Sequence, residues 1–292
     1  MNIGLVDVDN HNFPNLALMK LSAYHKSLGD NVEWANALFG EYDIVYQAKV
    51  FTFTRDDDIC YNSKTIIRGG TGYDLTSKLP DNVEHICPDY SLYNIYDTAY
   101  GYLSRGCPRG CDFCIVKDKE GKQSIKVADL GEWWNGQRNI TLLDPNITAC
   151  KQCEELLMQL ADSKAWIDFT QGVDIRLMTD RKAELFNSCK IKMIHFAWDN
   201  PNDTVTPKLL RQYVDAFKLD SRHKRVYVLT NFNSTHEQDL MRVYALKDMG
   251  YDPYVMIYAK WNAPAITKKL QRYVNNKFIF YSCENFDEYC KG

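Results

Sequence analysis

The residues best equipped for chemistry lie together in Arg105-Gly106-Cys107-Pro108-Arg109-Gly110-Cys111-Asp112-Phe113-Cys114, a C-x3-C-x2-C spacing. Three thiolates on one short loop can each ligate one iron of a cube-shaped 4Fe–4S cluster, whose usual complement is four Cys. A missing fourth ligand leaves one iron open to a substrate or cofactor. Pro108 and the flanking Gly106 and Gly110 suit a loop that wraps tightly around a cluster. Arg105 and Arg109 offset the negative charge of cluster plus thiolates. A zinc site and plain buried thiols are the alternatives. Structural zinc usually takes paired C-x2-C units, and the only other close pair is Cys150-Lys151-Gln152-Cys153. An auxiliary cluster there would need four ligands, and Cys60, Cys87, Cys189, Cys283 and Cys290 are too scattered to complete it. The pair is expected to be structural.

The elements that must position this loop follow a strand–loop–helix rhythm from about residue 97. Expected strands are 99–104, 140–143, 166–170, 193–198, 225–230 and 254–258. Helices between them carry clear punctuation. Thr206-Pro207 reads as an N-cap followed by Pro at the first helical position. Thr235 and Gln238 have capping-box spacing, and that helix should stop at Gly250. Residues 154–165 place Leu156, Leu157, Leu160 and Ala161 on one side. Six strands alternating with helices imply a parallel sheet with right-handed crossovers. In a parallel barrel the reactive groups come from the C-terminal ends of the strands. Here those ends are Asp144-Pro145-Asn146, Gln171-Gly172-Val173-Asp174-Ile175-Arg176, Trp198-Asp199-Asn200 and Asn231-Phe232-Asn233, with Lys260 after the last strand. Each also has a plainer role, as a cap, a turn former or a surface ion pair. His195 sits among apolar residues and reads as a hydrogen-bonded core histidine.

The first 96 residues read as a small, incomplete α/β unit. Ile3–Val8 is a buried-strand pattern, a helix follows with Leu16, Met19 and Leu21 and stops at Gly29, and 31–37 and 42–50 read as further strands. Residues 65–67 lead into Arg68-Gly69-Gly70-Thr71-Gly72, which reads as a tight turn or interdomain packing, with close backbone approach to a ligand as the alternative. Asp56, Asp57 and Asp58 stand where a crossover helix would be expected. Charge divides at the same place. Residues 1–99 hold 14 acids against 7 Lys or Arg, and the remainder 24 against 28. The basic surplus of the second part favours an anionic ligand there. The basic stretch 268–277 reads as a solvated helix face, with phosphate contact as the alternative.

With 45% hydrophobic and 25% charged residues, the 292-residue chain has the composition of a globular protein, not of a disordered or collagenous one. No apolar run approaches the ~20 residues of a membrane span. The N-terminus meets acids at once and has no basic leader, so the cytosol is the expected compartment and a disulfide framework is not expected.

The cysteine triad, with Phe113 just before its last member and a strand just before its first, resembles the signature of the radical S-adenosylmethionine (radical SAM) superfamily. The resemblance covers roughly residues 97–260. It implies a partial (β/α)6 barrel over 97–292, preceded by a small Rossmann-like α/β domain over 1–96. It implies Cys107, Cys111 and Cys114 as ligands of a 4Fe–4S cluster whose open iron chelates S-adenosylmethionine. Reductive cleavage then gives a 5′-deoxyadenosyl radical that abstracts hydrogen from a substrate, with an electron donor such as flavodoxin or ferredoxin. Phe113, Asp144, Asn146, Gln171, Arg176, Asp199 and Asn231 are the implied cofactor contacts. The family's Gly-Gly-Glu after the second strand is absent, with Asp144 or Asn146 as substitutes, and Arg176 would take the methionine carboxylate in two-pronged fashion. The first unit resembles the N-terminal domains of cobalamin-binding and methylthiotransferase members, through Phe13-Pro14-Asn15-Leu16-Ala17-Leu18 and Pro88-Asp89-Tyr90-Ser91-Leu92-Tyr93. It lacks an Asp-x-His-x-x-Gly ligand motif and a second Cys triad, which weighs against both activities. A cobalamin-dependent methyltransferase and a zinc-dependent, non-catalytic RNA-binding module stay as alternatives. The substrate, whether small molecule, peptide or nucleic acid, is not fixed by the fold.

Overall fold

A computed structural model describes residues 1–10 and 13–291. By contact the chain divides into two compact units, Met1–Gly101 with Asp118–Glu120 and Ala128–Ile140, and Tyr102–Lys117 with Gly121–Val127 and Thr141–Gly292. Among the described residues no helix is long and apolar enough to cross a membrane.

The first unit is built on β1 (Asn2–Asp7), β2 (Asn31–Trp34), β3 (Tyr42–Ala48) and β4 (Ser63–Gly69), all parallel in the order β2-β1-β3-β4. Helix α1 (Leu16–Ser27) starts where the Asn15 side chain accepts from the Leu18 amide. It buries Leu18 and Leu21 against Ile3, Leu5 and Ala48, with Val83 added from the short α2 (Asp81–Glu84). The other face carries only a small core of Tyr42, Val45 and Tyr61, because both crossovers there, 35–41 and 49–62, are non-helical. That matches the acidic stretch read in the sequence. The sheet's order reverses between β1 and β3, the place where open α/β sheets usually leave a ligand crevice. At that point Asp9, just after β1, accepts from the Val50 and Phe51 amides and the Thr54 hydroxyl.

The glycine-rich turn after β4 is a close backbone approach. Gly70 has φ +96°, and a Cβ there would lie 2.3 Å from the Lys49 carbonyl oxygen. Gly70→Val should therefore lower the unfolding free energy by upwards of about 2 kcal/mol, read from the urea midpoint. Iron bound at the cysteine loop should not change, and a midpoint equal to wild type would contradict the packing.

The larger sheet has the order β12-β11-β10-β9-β8-β5. Its strands are β5 (Thr98–Gly101), β8 (Asn139–Leu142), β9 (Trp166–Phe169), β10 (Lys190–Ala197), β11 (Lys224–Thr230) and β12 (Asp252–Ile257). Pairing from β9 to β12 is parallel. Alternation sends Ile167, Phe169, Ile194, Phe196, Val226, Val228 and Val255 into the helix-covered core. The opposite row holds Asp168, His195, Arg225, Tyr227 and Tyr254. His195 is the core histidine expected. Its Nδ1 lies 2.8 Å from the Phe169 carbonyl, its ring stacks on Tyr227 at 5.1 Å, and burial holds its pKa down at about 4.

The expected strand over 99–104 is broken. It ends at Gly101, and Ser104–Arg105 (β6) pairs antiparallel with Ile125–Lys126 (β7) instead. The cause is Asp144, whose carboxylate takes the Leu103 and Ser104 amides at 2.8 and 2.6 Å. After the cysteines comes the short α3 (Val116–Lys119). Helix α4 (Cys153–Ser163) buries the four side chains expected of it, and Thr179 caps α5 (Asp180–Ser188). Helix α6 (Val205–Tyr213) starts earlier than expected. Thr206 is not its cap, since the Asp203 carboxylate takes the Val205 and Thr206 amides. Helix α7 (His236–Asp248) has the Thr235/Gln238 capping box. Helix α8 (Ala265–Asn275) buries Leu270, Tyr273 and Val274 with Phe280 of α9 (Lys277–Ser282) and Phe286 of α10 (Phe286–Lys291). Its Lys268, Lys269 and Arg272 are exposed, the solvated face read in the sequence.

Candidate metal centre

The cysteine loop leaves β6 through Gly106 at φ +90° and turns again at Gly110, φ +60°. Both angles lie in the left-handed region that favours glycine. The Cys107 amide donates to the Gly121 carbonyl and the Cys114 amide to that of Cys111, each at 3.1 Å. All three thiols are free and half-buried. They are close enough to act on one another. Burial pushes the Cys111 thiol up, Asp199, Cys114 and Cys107 add to this, and Arg176 opposes it. Among the described residues no three His, Cys, Asp or Glu are grouped to hold a single metal ion. A cluster asks something different, since each thiolate binds its own iron. The donor set fits a cluster: three thiols on one loop, a hydrogen-bond donor on one of them, and nearby arginines.

That donor is Asn146. Its Nδ2 lies 3.4 Å from Cys107 Sγ, while its Oδ1 and carbonyl accept from the Thr148 and Ser124 hydroxyls at 2.9 Å each. The sequence placed Asn146 beside S-adenosylmethionine. The structure gives its amide to a cysteine instead. The Asp144 oxygens accept from Leu103 and Ser104, and its side chain is buried. It anchors the root of the loop.

Burial, opposed by the Ser104 hydroxyl and the two amides, raises the Asp144 pKa to about 7. The unfolded chain gives up this proton near pH 4, whereas the folded chain resists until about pH 7. Stability held below pH 4 is thus lost as pH rises through this window. Relative to Asp144→Asn, wild type should lose on the order of a few kcal/mol between pH 4 and 8. Urea midpoints of the pair at both pH values check this, and a difference growing the other way would refute it.

Arg176 lies on a short turn, Ile175–Leu177, with its fork already engaged. Nε and one terminal nitrogen donate to Asp174 at 2.8 and 3.3 Å, and the side chain is 35% exposed. Part of the fork expected to take a ligand carboxylate is therefore already paired within the chain. Asp174 also accepts from Arg109 Nε at 2.5 Å. Asp199 is half-buried, and burial raises its carboxyl to about 6 against Arg242 and Arg176. Cys111, Arg176 and Asp199 are thus brought together. Gln171 is exposed at the end of β9 and joins none of them.

Phe113 meets Phe232 edge-on at 5.5 Å, and Phe232 meets Tyr258 at 5.0 Å. Asn231, at φ +60°, donates to the Tyr258 carbonyl at 2.8 Å and to Asn262 Oδ1. Its amide thus clasps the loop after β11, which carries Phe232, to the one after β12, which carries Tyr258.

Sequence reasoning missed Arg242. It is fully buried on α7 and donates at 2.8 Å to the carbonyls of Trp198, Asp199 and Leu229, with Asp239 as its ion partner. It ties together the ends of β10 and β11. Its one signal is the i,i+3 spacing to Asp239, which reads equally well as a surface ion pair on a helix. Asp174 carried a signal, an acid two residues before Arg176. Cys150 and Cys153 are buried, and burial pushes Cys153 up to about 12 and Cys150 upward. Both suit a structural pair.

No protein-family model matches the sequence, and no curated protein matches it. Solved structures do. One is the radical S-adenosylmethionine methyltransferase TsrM from Kitasatospora setae with cobalamin and a 4Fe-4S cluster bound. It has TM-score 0.63 and 11% identity, over 88% of this chain and 74% of that one. The same enzyme with tryptophan substrate and the SAM analogue aza-SAM gives TM-score 0.60 and 11% identity, over 88% and 72%.

Proposed function

This chain has the fold of the radical SAM enzymes, and from that premise we propose that it binds a 4Fe–4S cluster through Cys107, Cys111 and Cys114 and cleaves S-adenosylmethionine reductively to start chemistry on a further substrate. The observation that carries the reading is three free thiols on one glycine-shaped loop, with the Asn146 amide on Cys107. When bound, the cluster supplies one electron to S-adenosylmethionine, which yields a 5′-deoxyadenosyl radical able to abstract hydrogen.

The chain's own residues do the rest. The Asn146 amide stabilises negative charge on the Cys107 sulfur. Arg176 keeps N–H groups beyond those given to Asp174 and offers them to a carboxylate. Asp199, half-buried beside Cys111, accepts from an amino or hydroxyl group. The row Phe113, Phe232 and Tyr258 gives a planar base an apolar wall, with Phe232 39% and Tyr258 41% exposed. The compartment is a reducing one such as the cytosol, with a flavodoxin- or ferredoxin-like electron donor.

Anaerobically reconstituted protein should be brown, absorb broadly near ~400 nm, and form 5′-deoxyadenosine with dithionite. Colourless protein that takes zinc in place of iron would overturn the reading in favour of a zinc-dependent binding module.

A cobalamin-dependent reading is favoured by one observation, that a structural neighbour holds cobalamin. Two features of the first unit weigh against it: at the switch point Asp9 ties down the Val50 and Phe51 amides and the Thr54 hydroxyl, and the crossovers on one sheet face are non-helical. Hydroxocobalamin should therefore not co-elute stoichiometrically on gel filtration. Spectral titration showing micromolar or tighter binding would reverse this.

A further inference from the structure

We infer that Asp174 is the positioning residue of the cysteine loop, a buried carboxylate that fixes Arg109, and so the middle of the loop, before any cluster is present. The inference rests on the cluster-binding reading given above.

Arg109 stands between Cys107 and Cys111, and its Nε donates to Asp174 Oδ2. The same carboxylate accepts from the Arg176 amide at 3.1 Å, from Arg176 Nε at 2.8 Å and from its terminal nitrogen. The Asp174 side chain is 6% exposed, whereas Arg109 is 31% and Arg176 35% exposed. One buried anion thus serves two partly exposed cations. The carboxylate is itself held, because the Asp174 amide donates to Thr148 Oγ1 at 3.0 Å. Thr148 in turn donates to Asn146 Oδ1, and Asn146 donates to Cys107. Two routes therefore run from residues 146–174 into the loop, a neutral one to Cys107 and a charged one to Arg109.

Charge-assisted hydrogen bonds to a desolvated carboxylate are stronger than neutral ones and fix direction. Removing the anion does more than delete a bond. Arg109 then loses its buried anion, while Arg176 keeps the more distant Asp203 carboxylate, 3.9 Å from its terminal nitrogen. The stretch from Pro108 to Gly110, with its left-handed glycine, is released between two of the three cysteines. Geometry at Cys107 survives through Asn146, while that at Cys111 loosens.

Two measurements test this, one without metal. In the metal-free full-length chain, trypsin should cut the Arg109–Gly110 bond about tenfold faster in Asp174→Asn than in wild type, because the bond becomes mobile. Cleavage at other sites and the urea midpoint should change far less. In reconstituted protein, loss of the ~400 nm absorption to an iron chelator should be about tenfold faster in Asp174→Asn and in Arg109→Gln, the range seen when outer partners of metal ligands are removed. The double variant should be no faster than either single one, and Asp174→Glu should recover most of the wild-type rate. Arg109→Gln alters a partly exposed side chain, so it keeps the test alive if Asp174→Asn folds poorly. Equal trypsin rates, or effects of the two substitutions that multiply, would overturn the positioning role. Wild-type protein that takes up no iron would instead sink the cluster reading and leave the trypsin result standing.

Discussion

Ala in place of Cys107, Cys111 or Cys114, one at a time, is expected to cut bound iron from about four per chain to below about one, and 5′-deoxyadenosine formation to background. In the proposed cluster each thiolate would hold a different iron, and two ligands from one loop would not retain a cube. The fold should survive. The loop is half-buried, its root is held by Asp144 and its middle by Asp174, and none of these contacts passes through a cysteine side chain. The urea midpoint of the metal-free chain should shift by no more than about 0.5 kcal/mol, the usual scale away from packed features. The matched control is Cys150→Ala with Cys153→Ala, which should leave iron near four per chain. Substantial iron loss in the control, or full iron in any single variant, would count against the assignment.

Arg242→Met is expected to be the most destabilising single change in the second unit. The guanidinium is fully buried and serves three carbonyls and the Asp239 carboxylate. Methionine of similar length fills the space but leaves a buried anion and three acceptors without donors. Breaking one half of a buried pair costs about 3–5 kcal/mol. At an m value of about 3 kcal/mol/M that lowers the urea midpoint by more than ~1 M. Because Arg242 fixes the backbone of Trp198 and Asp199, the loss should also reach the site, as weaker S-adenosylmethionine binding in calorimetry of reconstituted protein. Arg242→Met with Asp239→Leu should recover part of the stability, since it removes the stranded anion. A midpoint shift under ~0.3 M would mean that the pair is dispensable.

The sequence made the second unit's strands and their order legible because each is an apolar run between turn residues, and β8 to β12 fall within a few residues of the spans expected. The partners of the site residues were harder to read, for one physical reason. Polar residues at strand ends have several possible partners, and sequence does not say which one is near. Asp144 was read toward a ligand; it meets the amides of Leu103 and Ser104, where the strand before the cysteines breaks. Arg176 was read toward a ligand carboxylate; its neighbour Asp174 already takes part of its fork. Asn231 was read by its place at a strand end, whereas its left-handed backbone turns the amide onto the Tyr258 carbonyl. The cysteines escaped this ambiguity because three thiols at fixed spacing have few competing uses. The first unit was legible in its first strand and helix, where Asn15 caps α1 and an apolar face follows. The hydrogen bonds of Asp9 to the segment after β3 were not, because one acid after a strand looks like any other.

Anchorage of the loop root on β8, through Asp144, also bears on how the cofactor arrives. In small zinc domains the metal organises an otherwise unfolded chain, so its binding free energy is folding free energy. Here the sheet fixes Leu103 and Ser104 beforehand. Loading should bury little new apolar surface and so carry a small heat-capacity change. Its calorimetric trace should look like ligand docking rather than coupled folding. On the proposed function, a cluster lost to oxygen should be restorable without passing through an unfolded state, as a replaceable part rather than a keystone.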